Sequence, residues 1–177
     1  MHDRGRWIFG YGSLVWRPAF PHAERRAASV RGWARRFWQG SPDHRGVHDA
    51  PGRVLTLVPR PEALCWGVAY RVEDAAWDEV LATLDARESG GFERRSVPIG
   101  FDANGSARVP ALTYLAGEGN PNFLGSAPLP AIAAQIRGAR GRSGSNLDYA
   151  LQMAAALRDM QVDDAHVFAV AELLAET

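Results

Sequence analysis

The stretch VLTLVPRPEALCWGVAYRV, residues 54–72, decides how the chain is read. Two apolar runs, 54–58 and 64–72, flank PRPEA at 59–63. That pattern predicts two paired strands around a turn. Working upstream, 28–38 reads as a strand and 6–11 as another, joined by the proline-broken RPAFPHAE. Between 38 and 54 lies QGSPDHRGVHDAPGR, with three glycines and two prolines, too irregular for an element and too long for a simple hairpin. Loops of that length are functional or mobile.

Downstream the period changes. Trp77, Val80, Leu81 and Leu84 recur at i, i+3, i+4 and i+7, which predicts a helix, with Asp74 as its cap and RESGGF as its end. Strands follow at 94–101 and 107–115, joined by DANG, whose Asn-Gly suits a tight hairpin. From Pro130 onward the pattern is helical, at 131–137, 147–160 and 165–175. Strands first and helices last argue for an α+β class with a helical C-terminal part. The 177 residues, 46% of them apolar, are sufficient for one domain over 1–177. There is no internal repeat.

Composition excludes several chemistries. Basic and acidic residues number 20 each, so no net field draws nucleic acid or an anionic membrane. Every basic residue is arginine, which rules out a Schiff-base lysine and a P-loop lysine. Cys65, the single cysteine, lies in an apolar run and is expected to be buried and inert; it permits no internal disulfide and no thiolate zinc site. The N-terminus has no apolar signal core, and the longest uncharged run, 119–136, carries three prolines. A cytoplasmic protein with no membrane or nucleic-acid partner is the expectation.

Two motifs carry the candidate chemistry. In WIFGYGSLVW, residues 7–16, a glycine pair and a serine close a strand, and such a turn exposes successive backbone N–H groups able to hold a carboxylate or oxyanion. It lacks the third glycine of a dinucleotide fingerprint and the second of a G-x-S-x-G elbow. An ordinary glycine turn is the competing reading. In LDARESGGFERR, Glu88 sits four residues after the core position Leu84, on the inward face. Burial would raise its pKa and make it a base, unless Arg87, Arg94 or Arg95 pairs with it.

Other features are weaker. His44 and His48 have H-x-x-x-H spacing, but in a glycine- and proline-rich loop that spacing has no geometric meaning for a metal. The six tryptophans, at 7, 16, 33, 38, 66 and 77, are expected mostly in the core. RGARGRSGSN, at 137–146, reads as a solvated connection or a contact for a small acidic ligand.

Taken in order, WIFGYGSLVWRPAF, FWQGSPDHRG, PGRVLTLVP, CWGVAYRV, LDARESGGFERR, NPNFLG and RGRSGSNLDYALQMAAALR resemble the ChaC family of glutathione-specific γ-glutamylcyclotransferases. The resemblance implies a γ-glutamylcyclotransferase-like fold, a small mixed β-barrel with flanking helices. It implies cleavage of glutathione into 5-oxoproline and cysteinylglycine, without a cofactor or metal. It implies a substrate loop at Tyr11, Gly12, Ser13 and Leu14, preceded by Gly10, and a catalytic glutamate at Glu88. The family's tyrosines after the paired glycines and in N-P-N-Y-L-G are Phe92 and Phe123 here, so hydrogen bonds from those hydroxyls are lost. Arg45, Arg53 and Arg142 are candidate partners for the glycine carboxylate of the substrate. Broader γ-glutamyl specificity and a non-catalytic binding module are the alternatives.

Overall fold

The computed structural model describes residues 5–104 and 107–176. Among these, seven strands and four α-helices occur: β1 (Arg6–Gly10), β2 (Glu24–Ser41), β3 (Gly52–Val72), α1 (Trp77–Arg87), β4 (Glu93–Gly100), β5 (Arg108–Leu115), α2 (Leu129–Gly138), β6 (Arg140–Gly141), β7 (Gly144–Ser145), α3 (Asn146–Asp159) and α4 (Ala165–Ala175). The first five strands close a barrel in the order β1-β3-β2-β4-β5. β1 runs antiparallel to β3, from Arg6 opposite Val72 to Gly10 opposite Val68, and parallel to β5, with Ile8 opposite Leu112. The barrel is therefore mixed, as expected, and closure leaves it no unpaired edge.

The backbone divides into two compact units, Met1–Ala34 with Pro59–Leu115, and Arg35–Val58 with Ala116–Thr177. In the first, Ile8, Phe9, Val30, Val68, Tyr70 and Ile99 are buried, along with Trp77, Val80, Leu81 and Leu84 of α1. In the second, Phe37, Leu55 and Leu57 are buried, with Ile132 and Ile136 of α2, Met153 and Leu157 of α3, and Val167 and Val170 of α4. Ser145 caps α3 by accepting from Asp148 N–H, and Asp164 caps α4 by accepting from Val167 N–H.

Four expectations need correction. The stretch 54–72 is not a hairpin: β3 is one strand through Pro59 and Pro61. Proline fixes φ near the extended range and pushes the preceding residue there too, so P-R-P continues a strand as readily as it ends one, and PRPEA supplies no residue with positive φ to reverse it. Likewise β2 is an 18-residue strand rather than 11 residues at 28–38. Asp74 does not cap α1; it lies in a 3₁₀ turn before the helix and accepts from Arg6 Nε at 3.0 Å. Of the tryptophans Trp77 is buried and the other five are half-buried, short of a full core position, because a large indole often keeps its N–H at a wet edge.

The β4–β5 hairpin forms in the expected antiparallel register, from Glu93 opposite Leu115 to Gly100 opposite Arg108. Gly105 of the expected Asn-Gly turn lies outside the described residues.

Candidate active site

Glu88 follows α1 directly, as its C-cap, with its N–H donating to Leu84 O at 2.7 Å. The chain leaves the helix through Gly90 at φ +89° and Gly91 at φ +110°, a left-handed pair that side chains would resist. The residue is half-buried, and loss of water around the carboxyl raises its pKa above the ordinary value, against the lowering charge of Arg87. Among the described residues no hydrogen bond or ion pair reaches the carboxylate. Neighbouring arginines are engaged otherwise: Arg94 forms a two-point pair with Asp85, and Arg95 lies 3.9 Å from Glu93. Burial without a cation partner is what a base needs if it is to hold and release a proton near neutrality.

The glycine loop is held in place by its side chains and carbonyls. Gly10 ends β1, and a Cβ there would lie 2.5 Å from Leu14 Cβ, so the position is empty in order that Leu14 can pack. Tyr11, Leu14 and Val15 are buried. Tyr11 Oη donates to Tyr114 O at 2.6 Å, and Tyr70 Oη donates to Leu14 O at 2.5 Å. Residues Ser13–Val15 form a 3₁₀ turn in which Val15 N–H donates to Gly12 O and Arg17 N–H to Ser13 O. The N–H groups of Gly12, Ser13 and Leu14 precede the turn's own donors and have no partner among the described residues.

One side chain ties the two motifs together. Arg87 donates through Nη2 to Ser13 Oγ at 2.9 Å and through Nη1 to Pro18 O at 3.0 Å. The glutamate turn and the glycine loop are thereby linked across 74 positions of sequence. Behind them, Tyr114 Oη donates to Asp85 Oδ1 at 2.6 Å, and burial together with that carboxylate raises the tyrosine's pKa.

A profile of the family described as ChaC-like protein matches residues 6–177. The chain belongs to this family. It is 44% identical over 170 residues to glutathione-specific gamma-glutamylcyclotransferase 1 of Homo sapiens, covering 94% of this chain and 77% of that one. To gamma-glutamylcyclotransferase 2-3 of Arabidopsis thaliana it is 40% identical over 167 residues, covering 91% and 84%. A crystal structure of a yeast gamma-glutamyl cyclotransferase specific to glutathione superposes with a TM-score of 0.91 at 27% identity, covering 96% of this chain and 95% of the other. The five-stranded barrel with its helices is therefore the γ-glutamylcyclotransferase fold.

In this ChaC-like chain the remaining sequence candidates have definite places. The loop at 42–51 is pinned rather than loose: Arg142 N–H donates to Asp43 O, Ser143 N–H to His44 O, and His44 Nδ1 lies 2.7 Å from Ser143 Oγ. Its partner, RGARGRSGSN, carries the short β6–β7 hairpin, with Gly144 at φ +116°. Arg45 donates to Ser145 O, and the exposed Arg142 lies near Asp43 and His44. No group of three or more His, Cys, Asp or Glu side chains converges among the described residues. Cys65 is buried, as expected. NPNFLG clamps the end of β2: Asn120 and Gln39 exchange amide hydrogen bonds at 2.9 and 3.0 Å, and Leu124 N–H donates to Trp38 O. Among the described residues no helix is long and apolar enough to cross a membrane.

The Arg87 link and the tyrosines at 70 and 114 were missed by sequence reasoning. No periodicity or spacing joins Arg87 to Ser13, so no sequence signal marks the contact.

Proposed function

We propose that this chain is a glutathione-specific γ-glutamylcyclotransferase in which Glu88 is the general base and acid. The observation that carries the reading is the Glu88 carboxylate, desolvated and unpaired, in a chain 44% identical to a protein named for that activity. In the reaction the α-amine of the γ-glutamyl residue attacks its own side-chain amide carbonyl. The new C–N bond closes a five-membered lactam, the amide bond to cysteine breaks, and cysteinylglycine leaves as an amine. The nucleophile arrives tethered, and well-oriented intramolecular attack reaches effective molarities on the order of 10⁵ to 10⁸ M. The protein has to fold the substrate into the attacking conformer and move two protons from the α-nitrogen to the departing nitrogen.

Both sit on the α-ammonium at the start. Glu88 takes the first, and the same carboxyl returns it to the departing cysteine nitrogen; the regenerated carboxylate then takes the second from the ring nitrogen and passes it to the leaving amine, which departs as an ammonium, so the protein ends as it began. A raised pKa suits the cycle, since a carboxylate in the ordinary range would be too weak a base to take a proton from the ammonium. The substrate's charged oxygens need donors fixed in advance, and the N–H groups of Gly12, Ser13 and Leu14 are suited to this because Tyr11, Leu14 and Arg87 hold their turn still. Gly10 serves the loop through packing with Leu14. Ser13 Oγ, already accepting from Arg87, positions the ligand rather than attacking it. No protein nucleophile is required, and residues 1–177 act as one ChaC-like domain.

Purified protein incubated with glutathione should release 5-oxoproline and cysteinylglycine in equal amounts; no release would overturn the reading. The relative named gamma-glutamylcyclotransferase 2-3 favours a second reading of broader γ-glutamyl scope. Comparable rates on γ-glutamylalanine and glutathione would select it.

A further inference from the structure

Two open donors of the glycine loop have engaged carbonyls behind them. The Ser13 N–H shares its peptide group with the Gly12 carbonyl, which accepts from Val15 N–H at 2.9 Å. The Val15 N–H in turn shares its peptide group with the Leu14 carbonyl, which accepts from Tyr70 Oη at 2.5 Å. The Tyr70 O–H, two peptide groups and the open Ser13 N–H therefore run head to tail. The Leu14 N–H is backed by the Ser13 carbonyl, which accepts from Arg17 N–H at 2.8 Å and Trp16 N–H at 3.3 Å. Behind the Trp16 N–H, the Val15 carbonyl accepts from Arg25 Nη2 at 3.3 Å.

A hydrogen bond accepted by a carbonyl draws electron density from the amide and makes its N–H a stronger donor, by about 10–30% for each bond in a chain. Tyr70 is suited to head such a row. It is fully buried in β3, with the rings of Phe20 and His22 packed edge-on against it at 5.3 and 4.8 Å. Burial pushes its pKa up against the lowering charges of Arg25 and Arg87, so the phenol keeps its proton at neutral pH and stays a donor. A phenylalanine would fill the same space; what the hydroxyl adds is its reach to the carbonyls of Leu14 and, at 3.5 Å, Val15. The competing role for that hydroxyl is plain satisfaction of carbonyls left over at the end of a 3₁₀ turn.

We propose that Tyr70 is a positioning residue that acts through the Leu14–Val15 and Gly12–Ser13 peptide groups to strengthen the Ser13 N–H as a donor to a charged oxygen of the substrate. Its use in turnover rests on the function proposed above; the row of bonds does not.

The test grades the donor instead of deleting it. Tyr70 alone is replaced by tyrosines with increasing numbers of ring fluorines, which make the phenol progressively more acidic and leave its shape nearly unchanged. Two quantities are followed at a pH where every phenol of the series is protonated. One is kcat/KM for 5-oxoproline release from glutathione. The other is the nitrogen chemical shift of the Ser13 amide, with the Gly12 amide, in the same loop but outside the row, as reference. A kcat/KM that rises with phenol acidity, and a Ser13 shift that moves in step while Gly12 stays, support the proposal. Tyr70→Phe should then lower kcat/KM about fivefold, the equivalent of one net hydrogen bond. A flat kcat/KM across the series, or a Ser13 shift that ignores acidity, overturns the proposal and leaves Tyr70 as a cap on the turn. If Tyr70→Phe does not fold, the fluorinated series, which keeps the hydroxyl, decides alone. Failure of the wild type to release 5-oxoproline overturns the glutathione reading instead, and the Ser13 shift then decides whether Tyr70 acts on that amide.

Discussion

Asp85 and Glu88 stand three residues apart at the end of α1, and their surroundings give them opposite chemistry. Asp85 is about half-exposed, accepts from Arg94 and Tyr114, and is held below its ordinary pKa by those hydrogen bonds. Glu88 is deprived of water, has no such donors, and is pushed above its ordinary pKa. One carboxylate is therefore permanently ionised and structural, while the other can change protonation state during a turnover. The difference comes from the neighbours: Arg94 and Tyr114 face Asp85 from β4 and β5, while Arg87, the cation beside Glu88 in sequence, is spent on the glycine loop. Burial alone does not make a base; burial with the nearby cations committed elsewhere does.

The hardest test of that contrast is Glu88→Gln. It should lower kcat for 5-oxoproline release by about 10²- to 10⁴-fold, the usual contribution of a positioned acid/base. It should also stabilise the protein at neutral pH. The folded state binds the Glu88 proton more tightly than the unfolded chain, so stability falls as pH rises from the ordinary value of 4.5 through the raised one. Glutamine escapes that loss. Melting temperatures from pH 4 to pH 8 should show the variant gaining on the wild type as pH rises; equal curves would mean that Glu88 titrates as it does in the unfolded chain.

Next in size is Gly10→Ala. The added methyl would meet Leu14 Cβ at 2.5 Å, and overpacking of this kind costs about 1–3 kcal/mol. Denaturant unfolding should show that loss, and a Gly10→Ala, Leu14→Ala double variant should recover part of it. A single variant as stable as the wild type would remove the packing account of this glycine.

Arg87→Gln probes the link itself. It removes the bonds to Ser13 and Pro18 together with the charge that restrains the Glu88 pKa. KM should rise about fivefold, the equivalent of one net hydrogen bond, and the acid limb of kcat/KM should move to higher pH. Arg87→Lys should restore the acid limb but not KM, because lysine returns the charge without the two-pronged donor. A variant with an altered melting temperature and an unmoved pH profile would reduce Arg87 to a structural role.

These contacts also mark where the sequence is legible. The helix from Trp77 through Leu84, the β4–β5 hairpin and the helix at 165–175 declare themselves by period and turn chemistry, so their places follow from local rules. β3 does not, because Pro59 and Pro61 signal a break in most contexts and an extended strand in this one. Glu88 is visible from its spacing to Leu84, but its freedom from a cation is not, since Arg87, Arg94 and Arg95 are equally plausible partners on paper. The bonds that hold the glycine loop, from Tyr70, Tyr114 and Arg87, bridge 56 to 103 positions and leave no local trace.

The smallest predicted effect is the one that closes the comparison. Asp85→Asn keeps the shape of the side chain and removes its charge, so Arg94 loses a two-point ion pair while Tyr114 keeps an acceptor. With both partners about half-exposed, water screens the pair, and the loss should stay below about 1 kcal/mol. A carboxylate with a lowered folded pKa stabilises above its unfolded pKa and ceases to do so as pH falls through the folded one. The gap between wild type and Asp85→Asn should therefore be full at pH 7 and close in acid, the reverse of the Glu88→Gln curve. Turnover at pH 7 should remain within about twofold, because nothing in the proton cycle passes through Asp85. A kcat loss approaching that of Glu88→Gln would show that the two carboxylates act as one coupled pair, and the division of labour drawn from their neighbours would fail.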